Sequence, residues 1–173
     1  ARLQREHVDS VLIEELGLCR GRVRTDIAVV NGVLHGYEIK SDRDSLRRLD
    51  IQVEVYGRVL DQATLVVGER LLTQSLAVLP EWWGVLYARP TRDNVEFTTI
   101  REPRNNPRRD PRALVELLWF EQALTLLEQH DTARGVRGKP RRIVWDRICD
   151  RIGINEIATA VRAGLKARAG RGN

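Results

Sequence analysis

The chain has 173 residues, 42% of them hydrophobic, and 29 basic against 24 acidic side chains for a formal net charge of +5. That suits one folded core with a helical addition, and no run approaches the ~20 apolar residues of a membrane span. The opening ARLQREHVDS lacks a secretory signal's apolar stretch, so a cytoplasmic protein is expected, with Cys19 and Cys149 as reduced, buried thiols rather than a CxxC pair.

Residues 3–16 read as a helix, with Leu3, His7, Val8, Val11, Leu12 and Glu15 at helical spacing, ended near Gly17 and Gly21. RTDIAVV and VLHGYEIK are extended runs around Asn31-Gly32, the pattern of a β-hairpin. The next stretch, SDRDSLRRLDIQVEVYGRVLDQ, places Leu46, Leu49, Val53 and Leu60 along one face, which predicts a helix with Asp44 as N-cap. ATLVVG reads as a strand buried on both faces. A second helix over 69–78 follows, then strands in PEWWGVLYA and VEFTTI. REPRNNPRRDP reads as an exposed linker, ALVELLWFEQALTLLEQH as one strong helix, and DTARGVRGKPRR as a basic loop. The tail from Ile143 reads as two helices broken at Gly153, with Asn155 capping the second.

Charge divides unevenly along this order. Residues 1–100 hold 13 basic and 15 acidic side chains, whereas residues 101–173 hold 16 and 9. A basic half of this kind suits a polyanion partner. The division expected from these patterns is an α/β core over 1–100 and a basic, mainly helical extension over 101–173.

The residues that attract chemistry are Asp26 on the first hairpin strand and Glu38 and Lys40 on the second. Mg²⁺ takes oxygen ligands in near-octahedral geometry and uses one or two protein carboxylates. Asp26 and Glu38 meet that need if both point to one face. A two-residue turn at Asn31-Gly32 would set Asp26 opposite Tyr37 and turn Glu38 away. A three-residue loop, Val30-Asn31-Gly32 with a G1 bulge, would pair Val29 with Val33 and set Asp26 opposite Gly36, diagonal to Glu38. The metal-site reading therefore predicts the bulged turn. The bland alternative is Lys40 bridging two surface carboxylates, a contact worth ~0–1 kcal/mol. On the following helix Gln52 and Tyr56 lie four apart and share a face with Arg48.

The order helix, strand with Asp26, turn, strand with Glu38-Ile39-Lys40, helix, apolar strand resembles the PD-(D/E)XK nuclease superfamily, with Thr25-Asp26 in place of Pro-Asp. The run RTDIAVVNGVLHGYEIKSDRDSLRRLDIQVEVYGRVLDQATLVVG with PEWWGV is similar to a small bacterial family within it, over roughly residues 14–88. The resemblance implies a restriction-endonuclease-like αβββαβ core with mixed sheet plus a C-terminal helical extension. It also implies a metal-dependent nuclease acting on phosphodiester bonds. Asp26, Glu38 and the Ile39 carbonyl would hold Mg²⁺ or Mn²⁺. Lys40 would orient the attacking water or offset phosphate charge, and Gln52 would add a polar group. One of Glu6, Glu14 and Glu15 on the first helix, with Glu15 favoured, would complete the catalytic set. Nucleic acid is the implied partner, DNA in preference to RNA.

Other signals weigh less. His7, His35 and His130 have no zinc spacing, His35 reads as structural, and Trp82-Trp83 read as packing. The tail fits a helix-turn-helix poorly, so its arginines are expected to follow a phosphate backbone. The rival readings are a nucleic-acid-binding protein that does not cleave and a regulatory subunit. The apolar face of residues 113–127 leaves room for a homodimer.

Overall fold

The computed structural model describes residues 10–170. It is mixed α/β: a six-stranded mixed sheet, a two-stranded ribbon and, among the described residues, six helices. The chain forms two compact units, 1–108 and 109–173.

The first unit begins with strand β1 (Val11–Glu14), the ribbon strands β2 (Gly17–Leu18) and β3 (Val23–Arg24), and then the hairpin β4 (Ile27–Asn31) and β5 (Val33–Lys40). The expected helix over 3–16 is corrected here. Its residues 1–9 lie outside the described residues, and Val11–Glu14 pair antiparallel with β4, Leu12 against Val29. Four consecutive positions of which three are apolar serve a strand ladder as readily as a helix, and long-range pairing decided between them.

The hairpin register is neither of the two anticipated. Asn31 pairs with Val33, Val29 with His35 and Ile27 with Tyr37, so the reversal falls on Gly32 alone. Gly32 has φ +61°, a left-handed conformation that glycine adopts without a Cβ clash. Continued past Ile27, this register carries Asp26 to the level of Glu38 rather than of Tyr37 or Gly36.

Helix α1 (Leu49–Val59) follows β5, then β6 (Gln62–Val67), helix α2 (Glu69–Val78), β7 (Gly84–Pro90) and the edge strand β8 (Val95–Arg101). The sheet order is β1-β4-β5-β6-β7-β8, with β5, β6 and β7 mutually parallel and the remaining neighbours antiparallel. The apolar ATLVVG run is the buried strand expected, covered from Ala63 to Val67. Asp44 does not cap α1. Arg48 occupies that position, and the Asp44 carboxylate instead takes the Ser41 amide at 2.7 Å and its hydroxyl at 2.6 Å, closing a turn before the helix. The buried stripe of α1 runs through Leu49, Gln52, Val55, Tyr56 and Val59, so two polar side chains are drawn into the core. Asp61 anchors the return to the sheet, accepting the Leu34 amide at 2.7 Å.

Gly36 lies against α1's end rather than beside Asp26: a Cβ there would stand 2.4 Å from Leu60 Cδ1 and 3.4 Å from Thr25 Cγ2. Leu60 and Thr25 are fully buried and have little room to move. Gly36→Ala is expected to destabilise the first unit by about 1–3 kcal/mol through overpacking, read as a lower urea midpoint at unchanged slope. An unchanged midpoint would show that α1 can shift away from β5.

In the second unit Asp110 caps helix α3 (Pro111–Val115) by accepting the Arg112 amide at 2.8 Å. Helices α4 (Phe120–Gln129), α5 (Arg141–Arg151) and α6 (Ile154–Ala169) complete it. The single helix expected across residues 113–130 is two. Trp119 is extended, and its amide donates to the Gln122 side chain at 3.0 Å, which starts a fresh helix. The apolar density of that segment feeds both pieces, with Ala113, Leu114, Leu118, Ala123 and Leu127 all in the core. Gly153, not Asn155, occupies the N-cap of α6, and Asn155 instead accepts from Arg109 at 2.9 Å. Cys19 and Cys149 are half-buried and form no disulfide, which corrects the expectation of buried thiols. No described helix is long and apolar enough to cross a membrane.

Candidate functional site

Strand β5 and helix α1 bring together most of the residues singled out from sequence. Glu38 is 2% exposed, on the sheet face that α1 covers. Its Oε1 accepts from Lys40 Nζ at 2.5 Å and from Gln52 Nε2, and its Oε2 accepts from the Tyr56 hydroxyl at 2.6 Å. Both carboxylate oxygens are thus held by side chains of the same unit. Lys40 and Glu38 lie two apart on a strand and so share a face, while Gln52 and Tyr56 lie four apart on α1 and reach down together.

The Tyr56 phenol is pushed far above its ordinary range, first by burial and then by the Glu38 charge and hydrogen bond, with smaller contributions from Asp26 and Glu15. It stays protonated and acts only as a donor. Its ring stacks on the fully buried Trp83 at 5.2 Å, so that tryptophan is a core wall rather than an exposed stacking surface. Trp82 packs tilted against Trp83 at 5.7 Å.

Asp26 takes a different part. Strand β4 begins at Ile27, and Asp26 Oδ2 accepts the Ile39 amide at 2.6 Å, supplying the acceptor that an earlier start of β4 would have offered. Glu15 stands in the turn after β1, exposed and at φ +52°, with its amide donating to the Asp26 carbonyl at 3.2 Å. Its expected place on a first helix is therefore corrected, Glu14 belongs to β1, and Glu6 lies outside the described residues. Arg24 and Arg48 are exposed, and Arg24 contributes its carbonyl to Tyr56 at 3.3 Å. His35 lies on the other sheet face, bonded to Thr64 Oγ1 at 2.8 Å and stacked on Tyr37. His130 ends α4, and His7 lies outside the described residues.

Sequence reasoning missed the lock between Asp42 and Arg70. Asp42 Oδ1 accepts the Arg70 amide at 2.9 Å, and the Arg70 guanidinium donates to the carbonyls of Asp42 at 2.5 Å and Asp44 at 2.6 Å. The only signal was an Asp-rich turn after one parallel strand and an arginine after the next.

Among the described residues no group of three or more His, Cys, Asp and Glu side chains is placed to hold a metal ion. The donor chemistry agrees. Glu38 already accepts from Lys40, Gln52 and Tyr56 through both oxygens, and Asp26 Oδ2 is engaged by Ile39, so a cation would compete with an ammonium and two neutral donors. The residues present do not fit the Mg²⁺ or Mn²⁺ anticipated at Asp26, Glu38 and Ile39, and the metal-binding description is corrected accordingly.

The second unit offers a surface of another kind. Residues 109–173 carry 13 basic and 8 acidic side chains, against 16 of each in residues 1–108. Arg134, Arg137, Lys139, Arg141 and Arg142 are exposed along the loop between α4 and α5 and the first turn of α5. Two left-handed glycines, Gly135 at φ +81° and Gly138 at φ +76°, shape that loop. Arg137 pairs with Glu128 at 2.5 Å. Other arginines of the unit are structural: Arg112 pairs with Asp146 at 2.5 Å over the Trp145 ring, and Arg147 donates to the Thr132 carbonyl at 3.2 Å.

Comparison with known proteins decides the family. The profile described as Bacteriophage P4 protein cII matches residues 2–172, nearly the whole chain. The chain belongs to the bacteriophage P4 protein cII family. It is 25% identical over 160 residues to Protein cII of Enterobacteria phage P4, covering 92% of this chain and 60% of that relative. The chain thus spans about 60% of the length of the relative it matches. No solved structure matches it. Membership of the P4 cII family overturns the PD-(D/E)XK resemblance, and with it the nuclease, hydrolase and metal-dependent phosphodiesterase reading. The Asp, Glu-x-Lys pattern is short, and here it builds an internally satisfied buried pair.

Proposed function

We propose that this cII-family chain is a regulatory nucleic-acid-binding protein that holds its ligand without cleaving it. The observation that carries this reading is the exposed cationic stretch from Arg134 to Arg142, on a unit with five more basic than acidic side chains. Side chains of one sign on a glycine-shaped loop offer phosphate contacts, whose affinity comes from counterion release. The stretch contains no aromatic residue. That favours following a duplex backbone over stacking on single-stranded bases. Duplex DNA is accordingly the ligand proposed, with the protein working in the cytoplasm. The order β4, β5, α1, β6 supports a restriction-endonuclease-like scaffold for the first unit, as an architectural proposal with no catalytic claim.

Labelled duplex DNA titrated with the protein is expected to bind with an affinity that falls steeply as salt rises. Binding should be the same in EDTA as in Mg²⁺, and the DNA should be recovered intact from both. Absence of binding at low salt would sink the proposal, as would shortened DNA that appears only with metal.

A further inference from the structure

Trp119 is 52% exposed, the most exposed large apolar side chain among the described residues. It is nevertheless held at both backbone and ring. Its amide donates to Gln122 Oε1 at 3.0 Å, and Gln122 Nε2 donates to the Gly164 carbonyl of α6 at 3.3 Å. A Cβ at position 164 would stand 2.9 Å from Gln122 Oε1, so the glycine lets α6 approach this closely. One turn further along the same face of α6, the Arg168 guanidinium lies 5.0 Å from the centre of the Trp119 ring and donates to the Leu117 carbonyl at 2.9 Å. The ring is therefore fixed in place, with a cation against one face and about half of the residue open to solvent. Exposed cation–π contacts stabilise little, so the fold gains less from this indole than it would by burying it.

The surroundings of the ring select what it receives. In the second unit, the only other exposed large apolar side chain among the described residues is Ile143, in the first turn of α5. An apolar group of a protein partner needs a surrounding patch that excludes water, and two exposed side chains do not make one. The polar neighbours on α6 are cationic: Arg168 over the ring and Lys166 in the same last turn. Arg168 spends one N–H on Leu117 and keeps further donors for a ligand. The nearest acid in sequence, Glu121, stands in the first turn of α4, where it complements the helix dipole. A flat aromatic surface beside guanidinium donors matches a nucleobase with its phosphate.

We propose that Trp119 is a stacking platform for one unpaired base of the nucleic acid, with Arg168 and Lys166 taking the adjoining phosphate. This rests on the nucleic-acid reading of the second unit and narrows it. The ring and the cationic stretch from Arg134 lie toward opposite ends of α4, a helix of 10 residues. Such a helix is about 15 Å long, the rise of roughly four to five base-pair steps. The ligand favoured is thus a duplex that continues into a short single strand, rather than a duplex alone.

Fluorescence anisotropy on the full chain, at one fixed salt concentration, compares three ligands built on the same duplex. One is blunt, one carries a short thymine overhang, and one carries an abasic overhang of equal length. The abasic strand keeps the phosphates and lacks the bases, so it separates stacking from charge. The thymine overhang is expected to bind about fivefold or more tighter than the abasic one, the lower end of what one stacked base contributes. Trp119→Ala should erase that difference and leave the blunt duplex bound as before. Trp119→Phe, which keeps a flat ring, should retain most of it. A circular dichroism melt checks that both variants are folded, and the comparison of overhangs in the unaltered protein needs neither. Equal affinity for thymine and abasic overhangs, with the blunt duplex still bound, would overturn the proposal alone. So would a preference that survives in Trp119→Ala. Failure of the unaltered protein to bind any of the three would overturn the nucleic-acid reading, and this proposal with it.

Discussion

Glu38→Ala is expected to lower the thermal midpoint of the first unit by roughly 12–24 °C. The carboxylate is the common acceptor for Lys40 Nζ, Gln52 Nε2 and the Tyr56 hydroxyl. Removing it strands an ammonium and two neutral donors beside the buried stripe of α1. Breaking a buried pair from one side costs on the order of 3–5 kcal/mol, because the remaining charge is left without compensation. The Lys40 side chain is 13% exposed and can turn partly to solvent, which favours the lower end. About 3 kcal/mol in a unit of this size corresponds to the shift stated, at ~4–8 °C per kcal/mol. Glu38→Gln should fall between, since an amide oxygen still accepts from Tyr56 while its NH₂ opposes the donors of Gln52 and Lys40. The check is a thermal melt followed by circular dichroism for both variants. A Glu38→Ala protein within about 2 °C of the parent would mean that the carboxylate is not part of the core, and would reopen it as a ligand group.

The largest effect on binding is expected from reversing the cationic stretch. Arg134→Glu, Arg137→Glu, Arg141→Glu and Arg142→Glu combined should reduce duplex affinity by about a thousandfold or more at low salt. The slope of log affinity against log salt should become shallower by about 0.9 for each phosphate that the variant no longer neutralises. The four side chains are exposed; among the described residues only Arg137 of them has an ion pair, to Glu128 at the surface, and Arg141 lies over the Trp145 ring at 5.7 Å. Exposed pairs contribute ~0–1 kcal/mol, so the melting profile should stay close to the parent's. The measurement is fluorescence anisotropy at several salt concentrations. Affinity unchanged within about twofold, with the fold intact, would show that the duplex is held by another surface.

Local patterning was enough wherever a short-range rule acted alone. The Val- and Leu-rich ATLVVG run is the buried strand that its continuous apolarity predicts, because a strand covered on both faces has no polar side to show. Helix α2, strands β7 and β8, and the break near Gly153 were legible for similar reasons. So was the concentration of cations in the last third of the chain, which is a property of composition. The grouping of Glu38, Lys40, Gln52 and Tyr56 was partly legible from periods of two and four.

What those four side chains do was decided by tertiary structure. α1 lies over β5 with Gln52 and Tyr56 turned inward, so the carboxylate that sequence offered to a metal is consumed by its neighbours. Asp26 was drawn to the Ile39 amide because β4 starts only at Ile27, two residues after Thr25, which the register sets opposite Ile39, a consequence of pairing that no local pattern specifies. The register about Gly32, the strand at Val11–Glu14 and the split at Trp119 were settled in the same way. At Val11–Glu14 the deciding partner was β4, distant in the chain, and the Trp119 ring is covered by the Arg168 guanidinium from the last helix. Sequence by itself determined the apolar and charged periodicities of this protein. Only the folded chain decided which polar groups would meet, because a buried donor or acceptor is costly unless a partner, often far away in sequence, is brought to it.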